Sequence, residues 1–172
     1  MLAVTICGKL GTHLSRTRVP KDLNSAKLSL RPAEPADYDF ATELYLDSMK
    51  RLLSALGTWH EIRVLARFRQ GFKVEQTRVI QWDGVDIGWM QVSETAKQRH
   101  LHQLHIIAEF RNRGIGTWLI RSLLDQAAAA RQAVALNVVR GNPALSLYRR
   151  LGFQVVGGDG EKHHMRWEAK SP

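Results

Sequence analysis

The chain has 172 residues, 44% of them hydrophobic and 24% charged, with a formal net charge of +9 and one cysteine, Cys7. That length suits a single domain with a real core. No apolar run approaches the roughly 18 residues of a membrane span, and a lone cysteine excludes a disulfide framework and suits a reducing compartment. The opening MLAVTICGKLG lacks a basic n-region and breaks its apolar run at Gly8 and Lys9, so it does not read as a secretory signal; the protein is expected to be soluble and cytoplasmic.

Up to Lys27 the chain carries Lys9, Arg16, Arg18, Lys21 and Lys27 against Asp22 alone, with no sustained apolar period. Residues 1–26 are expected to form a disordered basic leader, a reading set above a nucleic-acid arm or a targeting peptide, and residues 27–172 the folded domain. From Lys27 to Arg31, KLSLR alternates like a strand and stops at Pro32. A helix pattern follows from Pro35, with Tyr38, Ala41, Leu44 or Tyr45, Met49 and Leu52 on one face. Thr58 to Glu61 fits a capping box opening a second helix, whose stripe continues through Ile62, Leu65, Phe68 and Phe72. TRVIQWDGVDIGWMQVSE reads as a hairpin turning at Asp83-Gly84.

A further strand spans about 100 to 108, and a long helix runs from Gly114 into the alanines at 127 to 130 with Leu119, Ile120, Leu123, Leu124 and Ala127 inward. A strand at Val134 to Val138, a short helix at Pro143 to Leu151 and closing strands near Phe153 to Val156 and His163 to Trp167 complete the chain. This βααββ then βαβαββ order predicts an α/β (α+β) domain: a central mixed, mostly antiparallel sheet of about seven strands flanked by about four helices.

Arg111-Asn112-Arg113-Gly114-Ile115-Gly116 lies between a strand end and the first turn of a helix, where backbone N–H groups have no internal partner and the dipole is positive. With two glycines and two arginines, the segment reads as an anion site, most naturally for a pyrophosphate, and a helix entry with a glycine turn and solvated arginines is the alternative. It is not a Rossmann fingerprint, because Leu119 stands where a third glycine is needed, and no Gly-Lys-Ser/Thr follows to make a P-loop.

This R-x-x-G-x-G segment resembles the acetyl-CoA-binding motif of the GNAT superfamily of N-acetyltransferases. GNPALSLYRRLGF at 141 to 153 is similar to that family's next motif, and LRPAEPADY at 30 to 38 to its opening. The resemblance covers about 28 to 168. It implies acetyl-CoA as co-substrate, with the pantetheine arm bonded by backbone groups at Leu104, His105, Ile106 and Ile107. The pyrophosphate would rest on Arg111, Asn112, Arg113, Gly114, Ile115, Gly116 and Thr117, with Asn142 and Tyr148 against the cofactor. Ala108 stands where many members have proline, and the Asn142 to Tyr148 interval is one residue shorter than the commonest form.

Acetyl transfer to an amine of pKa about 10.4 needs a proton acceptor, since roughly one molecule in 2,500 is neutral at pH 7. The departing thiolate needs a donor. By the resemblance Tyr148 is the general acid; by helical spacing alone it is a core aromatic. Backbone N–H groups at Ile106 or Ile107 suit the thioester oxygen. H-L-H-x-L followed by F-R-x-x-G-x-G is also similar to the arylalkylamine N-acetyltransferases, which implies a proton relay through His100 and His102.

Strand alternation sets His100 and His102 on one face and His105 on the other unless a bulge intervenes. Satisfied strand histidines are the alternative reading, and a His-x-His zinc site lacks a third ligand, so no metal is expected. Glu94 is the reserve base, His163 and His164 are secondary candidates, and Trp59 and His60 are expected near the acceptor. The expected partner is a small-molecule amine or a peptide, with homodimerisation a family habit and neither membrane nor nucleic acid indicated. A non-catalytic acyl-CoA sensor is the alternative function; a nucleic-acid module is disfavoured by the absence of RNA-binding aromatic motifs and zinc-finger spacings.

Overall fold

The computed structural model describes residues 27–169, so the expected basic leader lies outside the described residues. The described elements follow the expected order: β1 (Leu28–Pro32), α1 (Tyr38–Ala55), α2 (Glu61–Gly71), β2 (Thr77–Trp82), β3 (Val85–Glu94), β4 (Gln98–Ile106), α3 (Ile115–Ala129), β5 (Ala133–Val139), α4 (Ala144–Arg150), β6 (Gln154–Gly158) and β7 (Lys162–Trp167). They form a seven-stranded sheet in the order β1-β2-β3-β4-β5-β7-β6. Every neighbouring pair is antiparallel except β4 with β5.

Apolar stripes put helices on both faces of this sheet. Leu119, Ile120, Leu123 and Leu124 of α3 join Met90, Leu101, Leu136 and Tyr148 in one core. Leu44 and Tyr45 of α1 and Val64 and Phe68 of α2 join Trp89 and Val139 in the other. Fully burying a side chain such as Ile120 contributes about 1.5–3 kcal/mol. At the β2–β3 turn Asp83 and Gly84 have φ of 54° and 78°, the left-handed pair that a two-residue hairpin requires. Arg31 cross-links β1, the start of α1 and β3 by donating to both Asp37 oxygens at 2.8 and 2.7 Å and to Asp86 Oδ2 at 2.6 Å.

Two local expectations are corrected. No capping box opens α2. Thr58 Oγ1 turns back to Leu53 O at 3.4 Å, His60 occupies the cap position without a side-chain bond, and Ile62 is 75% exposed while Val64 is buried. The second correction concerns the histidines. Gln91 pairs with Gln103 but Val92 pairs with Leu101, so His102 is an extra residue in β4 and resets its alternation. His100 faces Ser93 and His105 faces Trp89, which share one side of β3. The bulge therefore brings His105 to the face of His100 instead of the opposite one.

Candidate active site

The bulge also marks where the sheet opens. β4 pairs with β5 only from Gln98–Ala133 to Leu101–Leu136, after which β5 continues along β7 and β4 along β3. Beyond His102 the two parallel strands are no longer bonded to each other. Ile107 N–H donates to Ile87 O at 2.9 Å, and this sets the phase: Gln103 and His105 exchange bonds with β3, while the backbone groups of Leu104 and Ile106 face the split. Ile106 O accepts Arg111 Nε at 2.7 Å, leaving Leu104 N–H and C=O and Ile106 N–H toward the opening. Of the expected backbone groups, those of His105 and Ile107 are thus committed to β3, while the N–H groups of Leu104 and Ile106 face the opening.

A cavity of about 290 Å³ occupies the split and reaches toward α1 and α2. Its lining includes His100, His102, His105, Asn142 and Tyr148, together with Tyr45 and Met49 of α1, Arg67 and Phe68 of α2, and Glu161 and Lys162. The α1 and α2 residues follow from the helical stripes, but Tyr45 and Arg67 were not legible as site residues. Trp59, His60, Glu94, His163 and His164 are not among the lining residues. Glu94 accepts from Gln132 Nε2 at 2.8 Å and Arg99 Nη2 at 3.1 Å, and chiefly the Gln132 bond holds its carboxyl below the usual range. It is a structural anchor at the far end of β3.

The three histidines differ in environment. The rings of His100 and His102 lie 4.5 Å apart, and His102 Nε2 is 2.7 Å from Ser93 Oγ. Burial lowers the pKa of both, and for His100 the neighbouring His102 lowers it further, so both imidazoles are neutral at pH 7. His105 is buried, stacked 4.8 Å from the Trp89 ring, with Nε2 2.9 Å from Gln103 Oε1; desolvation pushes its pKa down to about 3. It is a neutral wall of the cavity. Trp89 Nε1, beside it, is buried without a hydrogen-bond partner, a costly arrangement for an N–H in a cavity wall.

Tyr148 is buried on α4, packed edge-on against Phe153 with ring centroids 5.7 Å apart, and desolvation raises its pKa to about 12. Asn142 secures the start of α4: its Oδ1 accepts Ala144 N–H at 2.9 Å and its carbonyl accepts Leu145 N–H at 3.0 Å. The structural use of Asn142 is therefore a cap that also borders the cavity.

At the start of α3, Gly114 has φ of 81°, which favours glycine, and offers no side-chain cap. The first helical bond runs from Trp118 N–H to Gly114 O, so Ile115, Gly116 and Thr117 present N–H groups outside the helix ladder. The packing of the protein itself does not require glycine at 116, since an added Cβ would make ordinary contact with Leu147 at 3.6 Å. Both expected arginines brace the loop: Arg111 Nη2 reaches Ser48 Oγ at 3.3 Å and Asp47 at 3.7 Å, and Arg113 Nε donates to Glu109 O at 2.8 Å. Asn112, with φ of 58°, makes the turn between them. Backbone donors and two nearby guanidiniums fit a bound anion.

The model of the Acetyltransferase (GNAT) domain matches residues 73–155, which run from the hairpin through the split, the α3 turn and α4. Over these residues, just under half of the chain, it is similar to the GNAT acetyltransferases. An uncharacterized N-acetyltransferase of Methanocaldococcus jannaschii is 30% identical over 100 residues, a match that spans 56% of this chain and 44% of that relative. The GNAT fold is shared with the PaiA N-acetyltransferase of Thermoplasma acidophilum in complex with coenzyme A, at TM-score 0.68 and 19% identity over 83% of this chain and 99% of that one. It is shared too with Naa50 of Arabidopsis thaliana in complex with the bisubstrate analogue CoA-Ac-MVNAL, at TM-score 0.54 and 17% identity over 83% of this chain and 99% of that one.

Among the described residues, no group of three or more His, Cys, Asp and Glu side chains is placed to hold a metal ion, and no helix is long and apolar enough to cross a membrane.

Proposed function

We propose that this protein transfers the acetyl group of acetyl-CoA to a primary amine by direct attack within a ternary complex. The observation that carries the proposal is the coincidence of the β4–β5 split with neutral imidazoles and a protonated phenol on one cavity. Acetyl-CoA supplies the thioester; the new C–N bond replaces its C–S bond, one proton leaves the amine nitrogen, and one is made available to the sulfur. In this reading Leu104 and Ile106 hold the pantetheine arm through their backbone, and Ile106 N–H stabilises charge on the thioester oxygen. The N–H groups of Ile115, Gly116 and Thr117, with Arg111 and Arg113 beside them, hold the pyrophosphate.

His100 and His102 accept the amine proton, directly or through water. Their pKa values are lowered, which keeps them unprotonated at pH 7 and able to accept. Tyr148 provides the complementary group. A phenol raised to about 12 stays protonated, and against a thiol near 8.5 it donates a hydrogen bond as sulfur charge develops, with full proton transfer uphill. The single cysteine fits the cytoplasmic location we assign.

Thiol release from acetyl-CoA, followed across arylalkylamines, polyamines, amino acids and peptide N-termini, tests the proposal. Release that depends on an amine, with an acetylated product by mass, is expected. Tight acetyl-CoA binding with no release on any amine would favour a non-catalytic acyl-CoA sensor instead.

A further inference from the structure

The mouth of the cavity is lined by positive charge. Arg63, Arg67 and Gly71 follow one another at four-residue spacing on α2 and share one helical row. Arg67 and Gly71 line the cavity. Lys162 also lines it, and next to the same turn lies Arg140, whose Nε donates to Asp159 O at 3.0 Å and whose backbone N–H donates to Glu161 O at 2.8 Å. Two carboxylates oppose these four cations. Glu161 lies 4.0 Å from Arg67 across the mouth, and Asp159 accepts the Glu161 and Lys162 N–H groups at 2.8 and 2.7 Å within its own turn.

The wider wall has the same sign. From 48 to 74 the chain carries Lys50, Arg51, Arg63, Arg67, Arg69 and Lys73 against Glu61 alone, so this one segment holds more than half of the formal charge of +9. Apart from Arg67, Lys162 and Glu161 the lining residues are uncharged or His, and Glu161 is the one carboxylate among them. A polycation would find a single partner here and repulsion at the rim, whereas an amine followed by negative charge would find complementary groups on both walls.

Building on the acetyl transfer proposed above, we propose that the acceptor is the α-amine of an acidic peptide. The amine and first side chain enter the cavity, and carboxylates on the next residues lie along Arg63 and Arg67 with Lys162 opposite. A row whose charges rise about 6 Å apart suits carboxylates spaced along an extended chain better than the single carboxylate of a free amino acid. An RNA-linked amine is disfavoured because no Phe, Tyr or Trp is exposed among the described residues to stack bases.

The test uses the full chain, acetyl-CoA and three peptides sharing their first residue, followed by acidic, neutral or basic residues, plus an RNA carrying an aminoacyl group. The acidic peptide is expected to have a kcat/KM about tenfold or more above the neutral one, an advantage that shrinks at high salt. Arg63→Glu and Arg67→Glu are expected to abolish or invert the acidic-to-neutral ratio, and Arg63 is exposed enough to change without disturbing the core. Equal kcat/KM for acidic and neutral peptides, with thiol still released, would overturn the acidic-peptide assignment and leave acetyl transfer standing. Preference for the aminoacyl-RNA over every peptide would overturn it in favour of RNA. Silence on every amine would overturn both readings together.

Discussion

Tyr148 and the His100–His102 pair divide the proton traffic of the proposed reaction between a donor and an acceptor. Tyr148→Phe removes the donor and keeps the ring that packs on Phe153. It is expected to lower kcat about 10²-fold while leaving the Kd for acetyl-CoA nearly unchanged; undiminished kcat would remove Tyr148 from the chemistry. The histidines predict the pH profile. Both have pKa values below 6.5, and the neutral form accepts the proton. The rate should therefore be flat through neutrality and fall only as pH drops below 6.5, through the lowered pKa. His102→Gln should displace that acid limb, and an unmoved limb in both the His100 and His102 variants would place the base elsewhere. At this scale the sequence showed residue types and not their surroundings. Glu94 looked available as a base because its holder, Gln132, lies 38 positions away in the chain.

The bulge in β4 turns a strand of histidines into a site, and β3 supports it from behind. Gly88 lies against the backbone of His105, and a Cβ at position 88 would collide with His105 O. Gly88→Ala should push β4 away from β3, costing about 1–3 kcal/mol in denaturant unfolding and weakening acetyl-CoA binding through Ile106. Unchanged stability and affinity would show that β4 does not depend on this close approach. Element order was legible from periodicity because each stripe is local. The bulge was not, because uniform alternation is assumed until a partner strand shows which residue has no opposite, here His102 facing the Gln91–Val92 step. The same distinction explains α2: Thr58-Trp59-His60-Glu61 has the composition of a capping box, yet the path of the chain turns Thr58 back to Leu53.

Across the whole molecule, one sheet opens between its two parallel strands, and residues of α1 and α2 line the cavity at that opening; in the proposed reading they close its acceptor side. The resemblance pointed to this fold and to the two early helices beside the acceptor, but it named Trp59 and His60 where Tyr45, Met49, Arg67 and Phe68 line the cavity, because helical stripes tell which residues face inward and not which cavity they border. The most direct test of the layout is a titration of the labelled protein with coenzyme A, observed at its backbone amides by NMR. The account predicts saturable shifts at Leu104 and Ile106 and at Ile115, Gly116 and Thr117, with smaller changes at His105 and Ile107, whose N–H groups are bound to β3. Saturable shifts confined to another part of the surface, with these five amides unmoved, would contradict it.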